Sequence, residues 1–222
     1  MDNPCCHCIY RICCEIITFK KKGKTFKCCT IKELSMQLIP AFKIGVANAW
    51  IFSVIFLVLP FLIMLFNKET YSRGSNPPGM SSREKAISYI ATIIIYIVYL
   101  YSIFLPFKLW TAWFYTGLVI FLSTLFILIT ALINFMTTPK DKPVTKGMYR
   151  FSRHPLYFSN FLSLIAIGIA AASWVIMLAA IIFFILMHID TGPEERWCKE
   201  KYGNAYKEYF NKTPKWIGIP KS

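Results

Sequence analysis

Residues 156–189 read LYFSNFLSLIAIGIAAASWVIMLAAIIFFILMHI, an apolar run without a single acidic residue, lysine or arginine. A helix crosses a bilayer in about 20 residues, so this run is too long for one comfortable span. Small residues, GIAAAS at 168–173, lie near its middle, and small side chains permit a tight turn or a close helix contact. The run predicts a helical hairpin of two shortish helices. Such a fold-back brings the polar tail after Asp190 to the membrane face where the run begins. There the sequence reads RHPLY, residues 153–157. A single tilted helix would leave these two polar clusters on opposite faces.

Further apolar segments extend the pattern toward the N-terminus. VANAWIFSVIFLVLPFLIMLF (46–66) reads as a first span that Pro60 kinks. A second runs from about Ala86 to Leu105, and a third covers about 110–136. With 56% hydrophobic residues in 222, the chain is expected to be all-α: a polytopic helical membrane protein. It should have four to five transmembrane helices, a C-terminal helical hairpin and a cytosolic tail helix over 193–210. In the tail helix Pro193 and Glu194 suit the first turn. Three parts are expected: a basic, Cys-rich segment (1–44), whose stretch 31–44 suits an interfacial helix, two membrane helices (45–109), and a core with its tail (110–222).

The net charge of +14 does not point to nucleic acid, because the lysines and arginines lie almost wholly outside the apolar runs. That distribution orients a membrane protein and meets anionic headgroups, and no nucleic-acid partner is expected. Of the 25 basic side chains, 16 lie in loops 67–85 and 137–155 and in the tail. The positive-inside bias therefore puts both polar clusters in the cytosol. The basic N-terminal segment then falls on the other side, unless the first apolar segment bends back without crossing. Seven of the eight cysteines stand in the first 29 residues, with His7. Their spacing lacks the paired C-x-x-C of a zinc site; reversible acylation and a plain reduced tail are the other readings. The first residues also lack the apolar core of a signal peptide.

GMYRFSRHPLYFSNFL, followed about forty residues later by EERWCKEKYGNAYKEYFNKTPKWIG, resembles the membrane methyltransferases that include isoprenylcysteine carboxyl methyltransferase and the phospholipid N-methyltransferases. Gly147, Tyr149, Arg153, His154, Pro155, Tyr157, Glu194, Glu195, Tyr202, Gly203, Tyr206, Tyr209, Pro214 and Lys215 carry the likeness, over about residues 110–218. It implies S-adenosyl-L-methionine as cofactor and a lipid or lipidated substrate from the bilayer, with no metal. It also implies a cofactor site of Asn134, Pro143, Val144, Tyr149, His154, Pro155, Leu156, Tyr157 and Glu194. The compartment implied is the endoplasmic reticulum membrane of a eukaryote or the cytoplasmic membrane of a prokaryote.

The residue types suit such chemistry. Methyl transfer is an in-line displacement in which alignment and desolvation supply most of the catalysis. A carboxylate such as Glu194 binds an amino group, Arg153 or His154 takes a carboxylate, and Tyr149 and Tyr157 offer stacking and cation–π faces. One departure bears on the acceptor. In the isoprenylcysteine enzymes an arginine stands four residues before the first glutamate of the pair, and here that position is Asp190. An acid repels a carboxylate and receives the proton of an amine, so Asp190, Glu194 and Arg153 are the candidate catalytic residues and a phosphatidylethanolamine-type amine is the preferred acceptor. A prenylcysteine carboxylate is the alternative, with His188 as its cation, and an NADPH-dependent sterol-reductase-like enzyme is a further one. Each residue also has a plainer reading. Arg153 and His154 suit a basic membrane anchor, Asp190 a cap, Glu195 a solvated helix end, and Trp197 and Trp216 interfacial anchors.

Overall fold

The computed structural model describes residues 14–21, 24–31, 36, 38, 43–65 and 79–221. Cys14–Lys21 (β1) and Lys24–Ile31 (β2) form an antiparallel hairpin, with Cys14 opposite Ile31 and Lys21 opposite Lys24. The membrane part is all helical, as expected; the basic N-terminal segment adds this hairpin to it. The interfacial helix expected over 31–44 falls mostly outside the described residues, as do Cys5, Cys6, Cys8 and Cys13.

Among the described residues six α-helices follow: α1 (Trp50–Leu65), α2 (Ser82–Tyr101), α3 (Ala112–Met136), α4 (Pro155–Ala170), α5 (Trp174–Tyr202) and α6 (Asn204–Lys212). By length and composition α2, α3 and α5 are able to cross a membrane, while α1 and α4 are shorter apolar helices. Their starts are encoded locally. Ser81 and Glu84 make a reciprocal capping box on α2, which satisfies donors that a helix start leaves free. Thr111 caps α3, its hydroxyl accepting from Phe114 N, and Pro155 opens α4, where its missing N–H costs nothing.

The fold-back of the long apolar run is present. Gly168 O accepts from Ser173 N at 2.8 Å and Ile169 O from Ala172 N at 2.9 Å. With Ala172 at φ +50°, this is a Schellman end closing α4. The two arms are unequal, however: α4 has 16 residues and α5 has 29. No separate tail helix begins at Pro193. α5 continues through Gly192 and Pro193, and two carbonyls of the turns before the proline receive side-chain donors. Lys215 Nζ donates to His188 O at 2.9 Å, and Thr191 Oγ1 to Met187 O at 3.0 Å. The break comes instead at Gly203, φ +56°, between α5 and α6.

Small residues set the closest approaches. A Cβ on Gly117 of α3 would lie 2.7 Å from Ala166 O and from Ala170 Cβ of α4, so α3 and α4 pack nearly backbone to backbone. This is the small-xxx-small contact of membrane helices. α5 packs on the other side of α4, and α2 packs on α5. At the end of the bundle away from the RHP loop, Ala49 N donates to Leu105 O at 2.8 Å and Asn48 Nδ2 to Ile103 O at 2.7 Å. Phe52 of α1 stacks on Phe121 of α3 with ring centroids 3.9 Å apart, so the start of α1 is fixed at that end.

Candidate active site

The loop from 137 to 154 and the tail from 203 to 218 meet where α4 begins. Main-chain bonds stitch them together: Arg153 N donates to Pro214 O and Gly218 N to Phe151 O, both at 3.0 Å. Beneath this seam lies a second buried cluster of Ala131, Tyr149, Tyr206 and Tyr209, flanked by Val144, Leu156 and Phe210. Tyr209 Oη donates to Tyr149 O at 2.7 Å, and burial pushes its hydroxyl well up from the usual phenol range. The tail tyrosines Tyr206 and Tyr209 therefore pack and brace the loop.

Arg153 and His154 converge on one carboxylate. Glu195 Oε1 accepts from Arg153 Nε at 2.9 Å and lies 3.0 Å from His154 Nε2. Nη1 of Arg153 is engaged as well: it donates to Phe210 O at 3.0 Å and to Thr213 O at 2.7 Å, and the guanidinium lies over the Phe210 ring. Arg153 thus ties loop to tail, and Glu195, far from being a solvated helix end, is 8% exposed. Because Nε2 faces a carboxylate oxygen, it donates to Glu195, and this bond fixes the ring. The other ring nitrogen, Nδ1, points to Glu194 Oε2 at 3.6 Å. That carboxylate oxygen is buried and has no hydrogen-bond partner.

The remaining expected residues gather around this point with one exception of degree. Tyr157 and Asp190 lie within electrostatic reach of Glu194, and Pro155 is buried in the first turn of α4. Leu156 and Val144 belong to the tyrosine cluster. Asn134 ends α3 against the loop: a Cβ on Gly147, φ +60°, would fall 2.0 Å from Asn134 Nδ2. Pro143 is the exception, only half-buried in the loop. Trp216 is more than an interfacial anchor. It stacks on Phe184 at 4.7 Å, faces His154 at 6.2 Å, and donates through Nε1 to His188 Nδ1 at 3.2 Å.

α2 contributes residues that reading the sequence as mere hydrophobicity missed. The Ser88 hydroxyl reaches the Asp190 carboxylate, and Arg196 Nη2 donates to Glu84 Oε1. The start of α2 is therefore part of the site. Its one local signal was the capping box, which puts polar residues at the head of an apolar helix. No cluster able to hold a metal occurs among the described residues.

Residues 112–205, from the start of α3 to the start of α6, match the family model of phospholipid methyltransferase. No curated protein matches the chain.

Proposed function

We propose that the protein transfers a methyl group from S-adenosyl-L-methionine to the amine of a phosphatidylethanolamine-type phospholipid, at a site facing the cytosol. The catalytic unit is 110–222; the helices of 45–109 complete it through α2, and 1–44 is an appended basic segment. The observation that carries the reading is the buried, unpartnered Glu194 Oε2 beside His154 Nδ1 and Asp190. A buried acceptor without a donor is costly, and an ammonium group meets that need.

The residues fit the cofactor. Glu194 and His154 Nδ1 offer two acceptors to its amino group, Tyr149 and Tyr157 offer aromatic faces, and Asn134, Pro143, Val144, Pro155 and Leu156 line the remaining wall. When bound, the cofactor supplies an electrophilic methyl on a sulfonium centre. The chain's own work is to align the acceptor nitrogen, exclude water and receive a proton. Asp190 is the group placed to receive the proton that an ammonium must shed before its nitrogen attacks. Arg153 is a positioning residue: Glu195 holds its Nε and two tail carbonyls hold its Nη1.

The same inventory speaks against a carboxylate acceptor. Asp190 and Glu194 would repel it, Arg153 is engaged, and His188 Nδ1 accepts from Trp216, so that bond holds only while this nitrogen is unprotonated. Radiolabelled cofactor offered with phosphatidylethanolamine and with a farnesylcysteine analogue decides between them. Label in the phospholipid is expected; label in the prenylcysteine alone would overturn the acceptor. Asp190→Asn should lower turnover roughly 100-fold with little change in cofactor affinity, and an unchanged rate would return Asp190 to a capping role.

A further inference from the structure

α2 and α4 each pack on α5 and not closely on one another. Tyr99 of α2 bridges them inside the membrane part. Its hydroxyl lies 3.2 Å from Ser163 Oγ and 3.4 Å from Asn160 Oδ1 on α4. Ser163 Oγ donates to Asn160 O at 2.7 Å, and Asn160 Nδ2 donates to Leu156 O at 3.0 Å.

The hydrogens can be counted. The single hydroxyl hydrogen of Ser163 goes to Asn160 O, so that of Tyr99 is shared between Asn160 Oδ1 and Ser163 Oγ. Among the described residues Asn160 Nδ2 has one acceptor, Leu156 O, and keeps its second N–H unused. The Leu156 contact fixes the amide's orientation, since the reverse would set oxygen against oxygen. Tyr99 and Ser163 are buried at 4% and 0%, whereas Asn160 is only partly covered. Polar groups unsatisfied at membrane depth are expensive and mark substrate paths.

Depth supplies the second half of the argument. Asn160 lies six residues along α4 from His154, about 9 Å by helical rise. The interfacial layer between hydrocarbon and headgroup is about 5–8 Å thick on each side of a bilayer. A phospholipid with its amine at Asp190 therefore presents its ester carbonyls at the level of Asn160. We infer that the acceptor enters between α2 and α4 and that Asn160 donates its free N–H to an ester carbonyl. This makes Asn160 a specificity-determining residue for diacyl lipids. The inference rests on the proposed phospholipid-amine reading.

The test compares diacyl phosphatidylethanolamine with a diether analogue of the same chains and headgroup, in the wild type, Asn160→Leu and Tyr99→Phe. Cofactor binding is measured separately on each. The wild type should favour the diacyl lipid in kcat/KM by roughly 2- to 10-fold, the span of one hydrogen bond. Asn160→Leu should erase that preference through KM with cofactor affinity intact, and Tyr99→Phe, which leaves the free N–H in place, should keep it. Equal use of both lipids by the wild type, or a preference that survives Asn160→Leu, overturns the inference. Joint loss of activity and cofactor binding in both variants would assign the cluster to holding α2 on α4 instead, and overturns it too. Failure of the wild type to methylate either lipid would remove the underlying acceptor reading, a separate outcome.

Discussion

Arg153 Nε and Glu195 Oε1 are 2.9 Å apart, with side chains 9% and 11% exposed, and this one ion pair joins the loop before α4 to the helix that enters the tail. Truncating one member of a buried pair strands the other's charge, at about 3–5 kcal/mol. Glu195→Ala should therefore lower the melting temperature in detergent by roughly 6–20 °C and expose the tail to protease. Glu195→Gln keeps an acceptor for both donors and should lose less. Equal melting of Glu195→Ala and wild type would deny the clasp.

Glu194, its neighbour, should behave in the opposite way. Its buried oxygen has no partner to lose, so Glu194→Gln should leave melting unchanged or raise it slightly. Cofactor binding, followed by equilibrium dialysis, should weaken roughly 10- to 100-fold, the worth of one charge-assisted hydrogen bond. Unaltered affinity would remove Glu194 from the site.

Two glycines at similar positive φ should respond differently to alanine. At Gly203 a Cβ meets nothing within 4 Å, whereas at Gly147 it strikes the Asn134 amide. Gly203→Ala should cost the left-handed strain alone, about 1–2 kcal/mol. Gly147→Ala should add displacement of Asn134 and a measurable loss of cofactor affinity. A Gly147→Ala protein that binds as tightly as wild type would place Asn134 outside the pocket.

Alkaline pH provides another check. Burial pushes the hydroxyls of Tyr206 and Tyr209 upward, so the folded chain holds these protons after the unfolded chain releases them near pH 10. Their contribution to stability is whole below that value and is lost as pH rises above it. Tyr209→Phe, which also forfeits the bond to Tyr149 O, should melt lower at neutral pH and show a shallower decline from pH 10 upward. Parallel melting curves for the two proteins would mean that the phenol is freely solvated.

The hairpin was legible because its signals are local: an apolar run longer than one span and small residues at its midpoint. The loop and tail motifs were legible from residue order. Continuity of α5 through Pro193 was not, because a proline and a glycine together read as a start when considered locally. Tertiary packing, in which Pro193 and Thr191 are buried, decides whether the helix continues. Nor does sequence say which of two adjacent glutamates faces inward. Neighbours on a helix diverge by about 100°, and only the approach of Arg153 and His154 settles that Glu195 is the buried one. The share of α2 was hidden for a similar reason: Glu84 and Arg196 are 112 residues apart, and no periodicity announces their meeting.

The shortness of α4 carries a consequence for the membrane itself. Sixteen residues rise about 24 Å, less than the roughly 30 Å of a typical hydrocarbon core. A helix of that length does not lift His154 to the headgroup plane in an unperturbed bilayer, so either the lipid around α4 thins or the polar site rests in a local depression. In either case the bilayer's thickness sets how deep Glu194 and Asp190 lie below the membrane surface. Chain length and sterol content then act on the protein as mechanical inputs, without any ligand site of their own.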